Sequence, residues 1–191
     1  MKLHLIRHGL TEGNVRRLYY GNTDLPVLPE GEEELRRLAA RGGYPQPGRY
    51  YTSGMIRTNQ TLFCLYGEVP FQVLPGMRET NFGIFEMRGY EELKNWPEYQ
   101  QWIEDIGNRP IPGGECAREV RSRAAAALGP LLDAGEDAVI VTHGGIISTL
   151  MEQWFPDPGA YYYRWVPKAG RGYTVTFEGK KPVAWEKLPK E

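Results

Sequence analysis

Short apolar runs alternate with longer amphipathic or turn-rich stretches along the chain. Residues 2–7 (KLHLIR) form an apolar run that ends in Arg7-His8-Gly9. Such a run, without polar alternation, predicts a parallel strand buried on both faces. Helix-like text follows from Thr11, then a turn-rich stretch, Tyr20-Gly21-Asn22-Thr23-Asp24. Residues 30–41 (EGEEELRRLAAR) place acids early and arginines late, the order a helix dipole favours. Residues 49–52 and 71–74 predict two more short strands, with a helix over 55–66 between them. Further on, a long helix is expected over 115–132, a buried strand over 138–142 (AVIVT) and a helix over 145–154. Residues 161–166, 173–177 and 183–187 predict antiparallel strands. The alternation implies an α/β fold, a three-layer αβα sandwich. Its central sheet is mostly parallel with an antiparallel edge strand.

Residues 81–112 break this rhythm. They carry Phe82, Phe85, Tyr90, Trp96, Tyr99 and Trp102, and Pro97 interrupts any long helix there. Aromatics so clustered more often pack together than line a ligand box. The segment is expected to be a short lid inside one domain spanning 1–191, a length that supports a single substantial core. No internal repeat or low-complexity linker divides the chain.

Charge narrows the classes. Lys and Arg number 23 against 24 Asp and Glu, so no global field draws in nucleic acid or an anionic membrane. Any anion site must come from local clusters of Arg and His. Cys64 and Cys116 lie in unrelated surroundings without metal-ligand spacing, which fits a reduced, cytoplasmic protein. The N-terminus lacks an apolar leader and no run is long enough to span a membrane.

Two of the three histidines share one context. His8 follows a strand and precedes Gly9; His143 follows AVIVT and precedes Gly144-Gly145. Ligands of open α/β sheets bind outside the carboxyl ends of the strands. The glycines allow close backbone approach, and helix N-termini favour anions. Arg7 adjoins His8, Arg57 opens a helix after a strand, and Glu79 follows the third strand. Guanidinium forks match phosphate oxygens and stay charged. His4 lies within the first strand and is read as a satisfied core histidine. Two His and a Glu could hold zinc. The adjoining arginines would instead repel a metal and attract phosphate. The metal reading is therefore set aside, and no cofactor is required.

LIRHGLTEGN, with Arg7, His8, Gly9, Thr11 and Asn14, resembles the signature of the histidine phosphatase superfamily in its phosphoglycerate mutase-like branch. YGNTDLPVLPEG, YTSGMIRTNQT with Arg57, RETNFGIFE with Glu79, and VTHGG with His143 match further family segments in order. The resemblance covers about residues 2–150. It implies a phosphomonoester hydrolase acting on a small phosphorylated metabolite. His8 would be the nucleophile, Arg7, Arg57 and His143 would hold the equatorial oxygens, and Glu79 would be the acid. Asn14 and Thr23 would be additional phosphate contacts. Residues 82–115 are similar to the corresponding stretch of bacterial α-ribazole-5′-phosphate phosphatases of cobalamin biosynthesis, and α-ribazole 5′-phosphate is the expected substrate. Met87 stands where Gly is usual, and Cys116 where Ser is usual. A phosphoglycerate mutase is the alternative enzyme, and a catalytically inactive phosphate-binding module the alternative of another class. Residues 157–191 are expected either to complete the pocket or to form a homodimer contact; both stay open.

Overall fold

The N-terminal apolar run forms β1 (Lys2–Arg7), with its interior positions buried on both sides. The computed structural model describes residues 1–157 and 162–189. After β1 come α1 (Glu12–Val15), β2 (Leu18–Tyr19), α2 (Pro29–Arg41), β3 (Tyr50–Thr52), α3 (Ile56–Tyr66) and β4 (Gln72–Val73). Then follow β5 (Arg88–Gly89), α4 (Tyr90–Leu93), α5 (Pro97–Glu104), α6 (Ala117–Ala134), β6 (Ala138–Thr142), α7 (Gly144–Trp154), β7 (Gly172–Glu178) and β8 (Lys181–Leu188).

The main sheet has the order β4-β3-β6-β1-β7-β8. Strands β4, β3, β6 and β1 run parallel, whereas β7 and β8 are antiparallel. Successive side chains of a strand face opposite ways, and the chain uses this to build two seams. Leu3, Leu5 and Ile140 join Val120, Ala124 and Leu128 of α6 and Ile147 and Met151 of α7. Ile6, Val139 and Val141 join Leu35 of α2 and Leu62 and Leu65 of α3 on the other face. Each fully buried Leu or Ile contributes about 2 kcal/mol, so both helical layers are held by the same three or four strands. His4 is buried, with Nδ1 2.8 Å from Thr174 Oγ1. It sits in the core, away from the strand ends.

Residues 81–112 build a third core from Phe85, Leu93, Tyr99, Trp102 and Ile111. Pro97 takes the first position of α5, where its missing N–H is no loss, so it starts a helix instead of breaking one. The sequence reading missed the two-residue ribbon β2–β5, which pairs Leu18 with Gly89 and Tyr19 with Arg88. Strands this short have no periodicity to read. Met87, beside that ribbon, has φ of 61°, while its N–H donates to Tyr19 O at 2.7 Å. A left-handed backbone strains any residue with a Cβ. Met87→Gly is therefore expected to stabilise the fold by about 1 kcal/mol. A denaturant midpoint equal to or lower than the parent's would contradict this.

One expected strand is corrected. Residues 162–165 form a single 3-10 turn (Tyr162–Trp165), while Tyr161 lies outside the described residues. Trp165 is buried edge-on against Tyr173 and Trp185 of the sheet, at ring-centroid distances of 5.5 and 4.9 Å. The aromatic content that suggested a strand here serves packing onto the sheet, and Pro167 follows with no N–H for a ladder.

Candidate active site

The sheet register brings the two strand-end histidines together. Arg7 pairs with Thr142 across β1 and β6, and His8 N–H donates to Thr142 O at 2.9 Å. His8 and His143 are therefore the next residues on adjacent parallel strands. Both are buried, and their ring centroids lie 5.2 Å apart.

The hydrogen bonds fix their tautomers. His8 Nδ1 lies 2.7 Å from Gly9 O, and a carbonyl can only accept. Nδ1 must carry the proton, which leaves the Nε2 lone pair free to attack. His143 Nδ1 faces the Arg57 Nε–H at 3.3 Å, so Nδ1 accepts and Nε2 carries the proton. That proton points to Ser53 Oγ at 2.8 Å; Ser53 lies 3.1 Å from Thr58 Oγ1, which donates to Met55 O. Both nitrogens of His143 are thus engaged by protein groups, whereas the family resemblance implies a direct contact with a phosphoryl oxygen.

Burial pulls the pKa of both imidazoles well below the ordinary 6.5, and the field of Arg57 adds to it in each case. The sign for stability follows. Above the unfolded value both states are neutral and nothing changes. As pH falls below 6.5 the unfolded chain binds protons that the native state refuses. Stability should therefore drop by about 1.4 kcal/mol per pH unit for each histidine. Thermal midpoints measured from about pH 7 to about pH 5 should fall, and fall less steeply in His8→Asn. Parallel curves for the two proteins would refute this origin.

Arg57 is fully buried despite its charge. Its terminal nitrogens donate to Thr23 O and Gly21 O, each at 3.0 Å, and the guanidinium lies 5.0 Å from the Tyr20 ring centre. A guanidinium has five N–H groups; Asp24 Oδ1 lies 3.6 Å from the nitrogen that bonds Thr23 O, so the second hydrogen of the other terminal nitrogen is the donor left for an anion. Arg7 donates through one terminal nitrogen to Pro167 O at 2.7 Å. Its buried Nε has no partner among the described residues. An unsatisfied buried donor costs on the order of 1–3 kcal/mol, so this corner lacks an acceptor.

Glu79 is fixed from below. Its oxygens accept from Gly145 N at 3.0 Å and Thr80 N at 2.9 Å. A Cβ on Gly145 would lie 2.4 Å from Glu79 Oε1, and one on Gly144 3.2 Å from Arg7 Nε. The glycine pair after His143 thus makes room for the arginine and the acid. It was expected to expose N–H groups to a ligand, yet the Gly145 N–H goes to Glu79. Gly9 N–H likewise goes to Thr61 Oγ1 at 2.8 Å.

Asn14 and Thr23 each make bonds within the framework of the site. Asn14 Oδ1 accepts from the Thr11 N–H at 3.1 Å and hydroxyl at 3.0 Å, which leaves its Nδ2 as the group for a ligand. Thr23 Oγ1 donates to Glu86 Oε2 at 2.7 Å, so its hydroxyl is committed.

Sequence reasoning missed two carboxylates that shape the site. Glu86 accepts from the N–H groups of Gly21, Asn22 and Thr23 at 2.8 to 3.2 Å, and so holds the carbonyls that hold Arg57. Glu115 binds Arg123 at 2.7 and 2.9 Å. Arg123 in turn donates to Gly76 O, Arg78 O and Glu79 O, clamping the loop that carries the acid. Burial pushes the Glu115 pKa up, but the bonds from Arg123 and the Asn81 N–H win, and it is lowered. The turn signal Gly21-Asn22-Thr23 was visible in the sequence; its carboxylate partner, more than sixty residues on, was not.

Beside Arg7 and Glu79 opens a cavity of about 290 Å³, lined also by Tyr19, Phe82, Trp102 and Val166. A larger one, about 600 Å³, lies elsewhere and contains none of these residues. Chemistry, not size, marks the smaller as the candidate site. Among the described residues, no cluster of His, Cys, Asp and Glu could hold a metal ion, and no helix is long and apolar enough to cross a membrane.

Known proteins share this arrangement of chain. A Yersinia enterocolitica protein named "Probable phosphoglycerate mutase GpmB" is 32% identical over 159 residues, covering 79% of this chain and 73% of that one. The adenosylcobalamin/alpha-ribazole phosphatase of Salmonella typhimurium is 31% identical over 167 residues, covering 84% and 82%. The crystal structure of the alpha-ribazole phosphatase from Shigella flexneri superposes with a TM-score of 0.83 at 25% identity, covering 95% and 93%. Residues 3–186 match the profile of the histidine phosphatase superfamily (branch 1), and the chain belongs to that family.

Proposed function

We propose that the protein hydrolyses a small phosphomonoester in the cytoplasm through a phosphohistidine on His8, with α-ribazole 5′-phosphate as its substrate. The observation that carries this reading is the His8 tautomer. Gly9 O takes the Nδ1 proton, burial and Arg57 keep the ring neutral, and Nε2 is left as a nucleophile between two arginines. Nε2 attacks phosphorus in line as the ester P–O bond breaks. Glu79 gives its proton to the departing oxygen. Water then attacks the phosphorus, Glu79 takes a proton from it, and the N–P bond breaks to release phosphate and restore His8. Arg7 and Arg57 meet the charge on the equatorial oxygens. His143 serves by holding Arg57 Nε, and Asn14 Nδ2 is a further phosphate donor.

The cavity wall favours a flat leaving group. Tyr19, Phe82 and Trp102 line the cavity beside Glu79, where the substituent of the protonated oxygen would lie. The chain's similarity to the Salmonella phosphatase supports the same substrate, and its unpaired cysteines suit a reducing compartment. The similarity to a protein named for phosphoglycerate mutase keeps isomerisation as a second reading. Phosphate release in EDTA should show kcat/KM for α-ribazole 5′-phosphate at least tenfold above that for 3-phosphoglycerate. Isomerisation of phosphoglycerate without release would select the mutase, and activity restored only by metal would end the phosphohistidine reading.

A further inference from the structure

The larger cavity, about 600 Å³, is open to solvent on the far side of the turn that follows Trp165. Its wall carries Arg41 at the end of α2, Lys168 and Arg171 on the turn, and Lys187 on β8, above an apolar floor that includes Leu38 and Leu188. Among the described residues, no carboxylate lines it. Arg171 reaches Glu34 at 3.4 Å, while no ion pair forms at Arg41, Lys168 or Lys187 among the described residues. In a chain of net charge -1, four cations around one concavity are a strong local departure. Cavities of this size accept small organic ligands, and clustered cations select anions.

The turn also holds a residue of the candidate active site. Pro167 O accepts from Arg7, Arg7 N–H donates to Arg171 O at 2.9 Å, and Gly170 N–H donates to Arg7 O at 3.0 Å. Val166 lines the small cavity and Pro167 the large one. One short segment is therefore the partition between the two.

We propose that this basic cavity binds an organic polyanion, with two or more negative charges and an apolar body, and that its occupancy is coupled through residues 167–171 to Arg7. Lys168, Lys187, Arg41 and Arg171 neutralise the charges, and Leu38 and Leu188 take the apolar part. Pulling Lys168 and Arg171 toward an anion moves the carbonyls that position Arg7. Linkage makes the effect reciprocal: the ligand shifts affinity at the phosphoryl site, and a phosphoryl ligand shifts the affinity of the cavity by the same factor.

Adenosine 5′-(β,γ-imido)triphosphate is a suitable probe, being polyanionic, aromatic and resistant to hydrolysis. Calorimetric titration of the full chain, with orthovanadate saturating the phosphoryl site, should show one probe bound. The double variant Arg41→Glu/Lys187→Glu, both outside residues 167–171, should bind it at least tenfold more weakly and keep the parental kcat/KM without probe. Saturating probe should change KM of the parent about fivefold, a typical coupling, and leave the double variant unaffected. Probe binding that is undiminished in the double variant, or absent at millimolar concentration, overturns the site. Binding that leaves KM unmoved overturns the coupling.

Discussion

Replacing His8 by Asn should lower kcat by about 10⁴-fold or more, because the covalent route disappears with the nucleophile. Asparagine can still donate to Gly9 O, so the local backbone keeps its hydrogen bond and the fold should survive. The measurement has two parts. Turnover should fall to the limit of detection, and acid-labile, alkali-stable phosphate should no longer appear on the protein after a rapid quench with substrate. Retained labelling would place the nucleophile elsewhere. Retained turnover without labelling would mean that water attacks the ester directly.

The second large effect belongs to Glu79. Glu79→Gln removes the proton donor and should reduce kcat for alkyl phosphates by about 10³-fold, within the usual range of general acid catalysis. The same change should affect p-nitrophenyl phosphate far less, because nitrophenolate departs without a proton. Geometry adds a smaller term. Both carboxylate oxygens accept from backbone N–H groups, Gly145 and Thr80, and glutamine can serve only one of them. That loss should appear as about 1 kcal/mol of stability, common to every substrate. An equal fall in kcat for both kinds of ester would remove Glu79 from the acid role and leave it as a wedge against α7.

The parts of this protein that could be read in advance are those set by short-range rules. β1 and β6 announce themselves as apolar runs, and His8 and His143 as the residues that follow them. What the chain does not announce is who holds the holders. Glu86 fixes the turn at residues 21–23 from a position far along the chain, and Glu115 reaches Arg123 and through it the Glu79 loop. Either carboxylate, read in sequence, is one acid among 24 Asp and Glu. Met87 has a left-handed backbone, a conformation that suits the glycine usual at that place. The aromatic stretch shows the limit in the other direction. Tyr99 and Phe85 are buried core, Phe82 lines the cavity and Trp102 does both, and composition does not separate these uses. The strand expected at 161–166 failed because bulky aromatics favour strands on average, and here Trp165 caps the sheet from outside its plane.

The pairing of Arg7 with Thr142 has a meaning for how the protein can go wrong. Strands buried on both faces gain nearly the same apolar contact in neighbouring alignments, since either parity of side chain finds a greasy surface. Alternation of polarity, the usual guard against a slipped strand, is missing from β1 and β6. The ends supply it instead: the Lys2 N–H on Asp137, and Thr142 Oγ1 on Met77 O. A molecule refolded one residue out of step would keep its helices and most of its core, yet separate the two histidines by a full strand position. In a heat-stressed preparation, the fraction of molecules that still trap phosphate would therefore count correctly threaded sheets, among a larger population that circular dichroism reads as intact.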